Sequence, residues 1–271
     1  MTIAFHSHPA LVAYLTCGDP DLRTTREVAL AAISAGAEAI ELGVPFSDPV
    51  ADGPVIQRAS ERALRNGVSL EHVLTLAAEI RRERDAGLII FSYLNPVLRM
   101  GMENFAAKAA DAGVDGALIT DLPIEEAGEY LGAMRKRNLA TVFLAAPTST
   151  DERLKRIAEV STGFVYAVSR TGVTGARKEL PDDAQKLVQR LRKVTKLPIA
   201  VGFGISEPKQ FASVGKYADA AVVGSAIVHT IEQNPGKEAQ AVAEFVQRAF
   251  SRQPSAFAKT LSHTVHVAGS D

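Results

Sequence analysis

The 271-residue chain has a single cysteine, Cys17, and no apolar run near the ~18 residues that cross a bilayer. One cysteine permits no intramolecular disulfide and no thiolate metal cluster within one chain, and Cys17 reads as a small packed residue. Charge bias is missing too. Thirty Lys and Arg against 31 Asp and Glu leave a net charge of −1, which gives no electrostatic footprint for nucleic acid or an anionic membrane. The densest basic groups, RRER at 81–84 and RKR at 135–137, lie beside acids on expected helices and read as solvated faces. The N-terminal MTIAFHSHP lacks the charged-then-apolar layout of a signal peptide. These absences point to a soluble, cytoplasmic protein with neither nucleic acid nor membrane as partner.

Nucleotide fingerprints are also lacking. The first strand–helix turn reads TCGDPDLRTT (16–25), with one glycine and two acids, and neither GxGxxG nor GxxxxGKT occurs anywhere. What is present is alternation. Short β-rich runs recur at 11–16, 39–44, 88–94, 116–122, 141–146, 163–169, 198–203 and 220–226. Amphipathic stretches with apolar residues three and four apart lie between them, among them TTREVALAAISAG and DDAQKLVQRLRKVTK. Gly36, Gly87 and Gly113 end three such stretches and suggest left-handed caps. Eight strands alternating with helices predict an α/β fold, a (β/α)8 TIM barrel, as one domain over 1–250. Residues 251–271 show no clear periodicity and are expected to be a loosely docked or disordered tail.

A closed parallel barrel carries its chemistry at the C-terminal ends of its strands. Those ends offer Thr16 and Asp19; Glu41, Asp48 and Asp52; Tyr93 and Asn95; Thr120 and Asp121; Thr148; Tyr166, Ser169 and Arg170; Gly202 to Gly204; and Gly224 with Ser225. No lysine lies in or at the end of a strand, which disfavours a Schiff-base aldolase. Only His229 falls near a strand end, so a histidine-rich metal site has no ligands. General acid–base catalysis by carboxylates remains. Glu41, between Ile40 and Leu42, is expected to point into the barrel mouth, where desolvation raises its pKa. A structural acid paired with an arginine is the alternative.

Asp52 lies eleven residues on, in the flexible ADGP end of a loop restricted by Pro45, Pro49 and Pro54, and can approach the same substrate from the other side. Asp48 reads equally as a turn former. GVTG (172–175), GFGIS (202–206) and GSAI (224–227) bring glycines to three consecutive loops. A short helix from Ser225 adds its positive end, a pattern suited to phosphate.

The stretch ELGVPFSDPVADGPVIQ (41–57) resembles the signature of the tryptophan synthase alpha subunit family. YLTCGDPD, TDLPIEE, YAVSRTGVTG, GFGIS and GSAIV follow in the family's order, and the resemblance covers roughly 9–250. It implies retro-aldol cleavage of indole-3-glycerol phosphate to indole and glyceraldehyde 3-phosphate. Glu41 would then be the general acid–base that protonates indole C3, and Asp52 the acceptor of the indole N–H. Gly175, Phe203, Gly204, Gly224 and Ser225 would hold the phosphate, with Tyr14 lining the indole pocket and Tyr166 near Glu41. Thr174 and Asp121 match a pair that links the loop after strand six to the site.

Pro45, Asp48 and Pro49 match the surface that meets a beta subunit in an alpha2beta2 heterotetramer. Pyridoxal phosphate is expected only in that partner, and no cofactor or metal in this chain. The family's opening amphipathic helix is not fully matched by MTIAFHSHP, which leaves the closure of the barrel bottom open. Rival readings are a free-standing indole-glycerol phosphate lyase, a silent barrel that only activates a partner, and a phosphate-binding isomerase. Intact Glu41 and Asp52 oppose the second, and the long acidic loop has no role in the third.

Overall fold

The structure, a computed structural model, describes residues 3–168, 182–202 and 204–250. Its strands are β1 (Ala10–Thr16), β2 (Ala39–Gly43), β3 (Gly87–Ser92), β4 (Gly116–Ile119), β5 (Ala140–Ala145), β6 (Val165–Val168), β7 (Ile199–Gly202) and β8 (Ala220–Val223). They pair in parallel in chain order, and β8 closes onto β1. The helices are α1 (Leu22–Ala35), α2 (Pro54–Arg65), α3 (Leu70–Glu83), α4 (Leu94–Met100), α5 (Met102–Asp111), α6 (Gly128–Lys136), α7 (Asp151–Val160), α8 (Asp182–Arg192), α9 (Pro208–Val214), α10 (Ser225–Gln233) and α11 (Glu238–Phe250). The expected (β/α)8 barrel is therefore present. The expected tail lies outside the described residues.

Strand side chains alternate between two buried sets, as period-two geometry requires. Leu11, Ala13, Leu15, Ile40, Leu42, Leu88, Ile90, Val165 and Val201 pack outward against the helices. Val12, Tyr14, Ala39, Ile89, Phe91, Leu118, Val142, Tyr166, Ala200 and Val222 point inward and fill the barrel. Both faces are covered, so the strands read as continuous apolar runs rather than alternating ones.

The N-terminal ends of the strands are tied by side-chain oxygens. Asp115, just before β4, accepts from Leu88 N at 2.8 Å, and Asp219, just before β8, accepts from Ile199 N at 2.7 Å. Thr162 Oγ1 accepts from Thr141 N at 2.9 Å, and Glu38 accepts from Ser7 N at 2.6 Å. The short N-terminal segment closes this end after all. Ile3 is buried with Ala140, Val142 and Phe164, and the Phe5 ring lies 5.8 Å from that of Phe164.

Local signals explain several helix ends. Asp21 caps α1 by accepting from Thr24 N at 2.7 Å, and Gly36 ends it in the left-handed region at φ 119°. Gly113 is likewise left-handed, at φ 73°. Gly87 differs from expectation: it opens β3, and a Cβ there would sit 2.9 Å from Ala39 Cβ. It is a close-approach glycine, not a cap. Gly116 is tighter still, with a built Cβ 2.6 Å from the Ala140 carbonyl oxygen. Gly116→Ala should cost about 1–3 kcal/mol, read as a lower urea midpoint with an unchanged m-value.

Candidate active site

Glu41 is the middle residue of β2, in register with Tyr14 on β1 and Ile89 on β3. Its neighbours Ile40 and Leu42 face the helices, so its carboxyl turns inward as the alternation predicted. It is 0% exposed, and neither oxygen has a hydrogen-bond partner among the described residues. No arginine among the described residues pairs with it, which weighs against the alternative of a structural ion pair. Burial alone pushes its pKa from an ordinary 4.5 up to about 8. At neutral pH the group is a neutral acid.

Asp52 lies in the loop between β2 and α2 and is 5% exposed. It is held rather than flexible. Tyr93 Oη donates to its Oδ2 at 3.1 Å and accepts from Ala51 N at 3.0 Å, while Gln57 Nε2 donates to the Asp52 carbonyl at 2.9 Å. The Phe46 ring stacks on Tyr93 at 4.9 Å and steadies this anchor. Burial raises the Asp52 carboxyl to about 6, against the opposing pull of the Tyr93 hydrogen bond. Asp52 is thus largely ionised where Glu41 is largely protonated. Two carboxyls with environments this different divide acid and base roles.

Both acids line one cleft at the C-terminal mouth of the barrel. Ile56, Phe91 and Val222 form apolar walls, with Tyr14 and Tyr166 beside Glu41. The tyrosines lie over glycines of the neighbouring strands. A Cβ on Gly43 would strike the Tyr14 hydroxyl, and one on Gly202 would strike that of Tyr166. Gly202, expected among the phosphate-binding glycines, thus makes room for a ring.

The far end of the cleft consists of Gly204, Gly224 and Ser225. Gly204 is left-handed at φ 96°, with nothing within 4 Å of a built Cβ. Gly224 caps α10, and its carbonyl accepts from Ile227 N and Val228 N. The helix itself provides no acceptor for the first N–H groups of α10, so they and the positive helix end suit an anion.

The expected site residues divide three ways. Tyr14, Glu41, Asp52, Tyr166, Gly204, Gly224 and Ser225 share the cleft. Asp121 stands outside it, its Oδ1 accepting from Leu94 N at 2.7 Å. Ser169, Arg170, Thr174, Gly175 and Phe203 lie outside the described residues. In the acidic loop Asp48 is exposed and Pro49 half-buried, but Pro45 is buried within the chain. The surface offered is therefore Asp48, Pro49 and Val50, the last 78% exposed, and Pro45 only shapes the loop. Cys17 is fully buried and its thiol pKa is pushed up by burial, consistent with a packed residue. No group of three or more metal-ligating side chains occurs among the described residues. None of their helices is long and apolar enough to cross a membrane.

The family model for the tryptophan synthase alpha chain matches residues 2–256. The chain belongs to the tryptophan synthase alpha chain family. Its relatives include the alpha chain of Solibacter usitatus, 56% identical over 83% of this chain and 84% of that one. Another is that of Neisseria meningitidis serogroup B, 47% identical over 88% and 92%. Among solved structures, a mutant alpha-subunit from Pyrococcus furiosus superposes with a TM-score of 0.84 at 39% identity, covering 90% of this chain and 99% of that one. Tryptophan synthase of Mycobacterium tuberculosis gives 0.83 at 39%, covering 89% and 93%. Membership makes the chain a lyase of tryptophan biosynthesis that cleaves indole-3-glycerol phosphate.

Glu41 carries a stability cost with a definite sign. Below pH 4.5 it is protonated in both folded and unfolded chains and contributes nothing. Between 4.5 and about 8 only the unfolded chain ionises, so the folded state loses stability as pH rises. Glu41→Gln cannot ionise. Its stability relative to the parent chain should rise by about 3–4 kcal/mol between pH 5 and 8, measured by chemical unfolding at each pH.

Proposed function

We propose that Glu41 and Asp52 carry the cleavage as an acid–base pair on a substrate anchored at its phosphate end. The observation behind this is the buried, unpartnered Glu41 carboxyl facing the same cleft as an ionised Asp52. Asp52 accepts the indole N–H and stabilises the positive charge that develops on the ring. Protonated Glu41 gives its proton to indole C3, which converts the ring into an iminium cation able to accept the C–C electron pair. The resulting Glu41 carboxylate removes the proton of the glycerol hydroxyl next to the scissile bond. The C–C electron pair returns to the ring as the carbonyl forms, giving indole and glyceraldehyde 3-phosphate. Glu41 ends protonated again, so the cycle balances without a Schiff base. Each acid–base contribution is worth roughly 10²–10⁴-fold in rate.

Ser225, Gly224 and Gly204 bind the phosphate through backbone N–H groups and the start of α10, joined by Gly175 and Phe203. Tyr14, Ile56, Phe91 and Val222 surround the indole. Tyr166 packs beside Glu41 and keeps it dry. Thr174 links the loop after β6 to Asp121. The exposed Asp48–Val50 rim meets a beta subunit in an alpha2beta2 assembly. Pyridoxal phosphate belongs to that partner and no cofactor to this chain. One domain over 1–250, working in the cytoplasm, suffices for the reaction.

The test is indole release from indole-3-glycerol phosphate with a beta chain present. Glu41→Gln should lower kcat by about 10²–10⁴-fold, and wild-type turnover in that variant would refute the mechanism.

The pH dependence follows from the two carboxyls. The active form has Asp52 ionised, above about 6, and Glu41 protonated, below about 8. A plot of kcat/KM against pH should therefore be bell-shaped between those values. Tyr93→Phe removes the hydrogen bond that favours ionised Asp52, so the acidic limb alone should move to higher pH.

A further inference from the structure

Asp52 stands just ahead of α2, and Ser225 opens α10. A substrate held at both ends requires a fixed span between these two elements. Behind the cleft, a chain of ion pairs joins them. Arg62, a little over two turns into α2, makes a bidentate pair with Asp19 in the turn after β1. Nε donates to Oδ1 at 2.7 Å and Nη2 to Oδ2 at 2.8 Å. Its remaining Nη1 reaches Glu232 on α10, donating to Oε1 at 2.9 Å. Arg58, one turn earlier on the same face, grips Glu232 through Nε at 3.0 Å and Nη2 at 2.9 Å. Asn66 completes the link, donating to the Pro20 carbonyl at 2.6 Å.

The burial of these groups argues for geometry over stability. Asp19 is 3% exposed and Arg62 32%, and a pair drawn into the protein gains little net stability because desolvation offsets its attraction. What a bidentate arginine supplies is direction: its planar fork accepts one alignment of the carboxylate. The Arg58 and then the Arg62 hydrogen bonds hold Glu232 down at about 2, so the link stays charged at any working pH. One guanidinium thereby joins three elements: the turn after β1, α2 with Asp52 just ahead of it, and α10, whose Ser225 lines the anion end of the cleft.

We propose that Arg62 is a positioning residue. Through Asp19 and Glu232 it sets the separation of Asp52 from the start of α10, and so the length of substrate the cleft can align. This inference rests on the roles given above to Asp52 and to the Gly224–Ser225 end. Arg62 touches neither substrate nor the reacting atoms.

The experiment compares a probe that spans the cleft with one that occupies only its anion end. Full-length Arg62→Lys, which keeps the charge but loses the fork, and Glu232→Gln, which keeps the shape, are assayed with the beta chain. For indole-3-glycerol phosphate, Arg62→Lys should lose about 10²-fold in kcat/KM, the scale of a 1 Å misalignment. Glu232→Gln should lose less. The inhibition constant of glyceraldehyde 3-phosphate should stay at the parent value in both.

Unchanged kcat/KM overturns the proposal. So does an equal loss for both probes, which would mean that the anion end itself is damaged. If Arg62→Lys does not fold, Glu232→Gln decides by the same comparison. Asp52→Asn in parallel separates the two levels: wild-type turnover there would sink the role of Asp52, whereas an inactive Asp52→Asn beside a fully active Arg62→Lys would sink the clamp alone.

Discussion

The site depends on a fully buried carboxyl group that has no hydrogen-bond partner among the described residues. Glu41 occupies the middle of a five-residue strand buried on both faces, and a desolvated acid there keeps its proton at neutral pH. Its position follows from period-two alternation: Ile40 and Leu42 commit the flanks to the helix layer, and the residue between them must face inward. Closure of the barrel then removes solvent from that side. The same closure makes the group costly to keep, and the cost increases through the pH range in which the enzyme works.

The surroundings are arranged to leave that carboxyl unpaired while keeping the rest of the mouth fixed. Tyr14 and Tyr166 fill the space beside Glu41 only because Gly43 and Gly202 leave room for their hydroxyls. Asp52 is treated in the opposite way. Tyr93 and Gln57 tie it down, and the Tyr93 hydrogen bond favours its charged form. Two acids of the same chemistry are thereby separated in protonation by what touches them. The proposed anion end is built from backbone, where glycines and a helix start offer N–H groups with no added charge. The acids come from the second βα unit and the anion end from the seventh and eighth, so the links between units matter as much as the parts.

Much of this was legible in the sequence. The eight apolar runs and the helices between them gave the barrel, and the acidic loop with its glycine-rich successors gave the family. The inward aim of Glu41 could be read from its two neighbours. What stayed hidden depended on contacts distant along the chain. The loop holding Asp52 looked flexible because its anchor, Tyr93, is 41 residues away. Gly202 looked like an anion ligand because a packing glycine and a phosphate glycine are identical in sequence, and only the ring of Tyr166 tells them apart. Pro45 looked like surface because a proline-rich loop carries no local sign of which side it buries. The Asp19–Arg62–Glu232 link spans 170 residues from Arg62 to Glu232, beyond the reach of any local pattern.

The central claim is that Glu41 is neutral in the resting protein, and it can be observed without turnover. Difference infrared spectroscopy between the parent chain and Glu41→Gln, recorded across pH, isolates the carboxyl stretch of this one residue. The account predicts a protonated C=O band at pH 7 that gives way to carboxylate only as pH passes about 8. A carboxylate band already complete at pH 6 would mean that Glu41 rests ionised, and the acid–base assignment built on it would have to be abandoned.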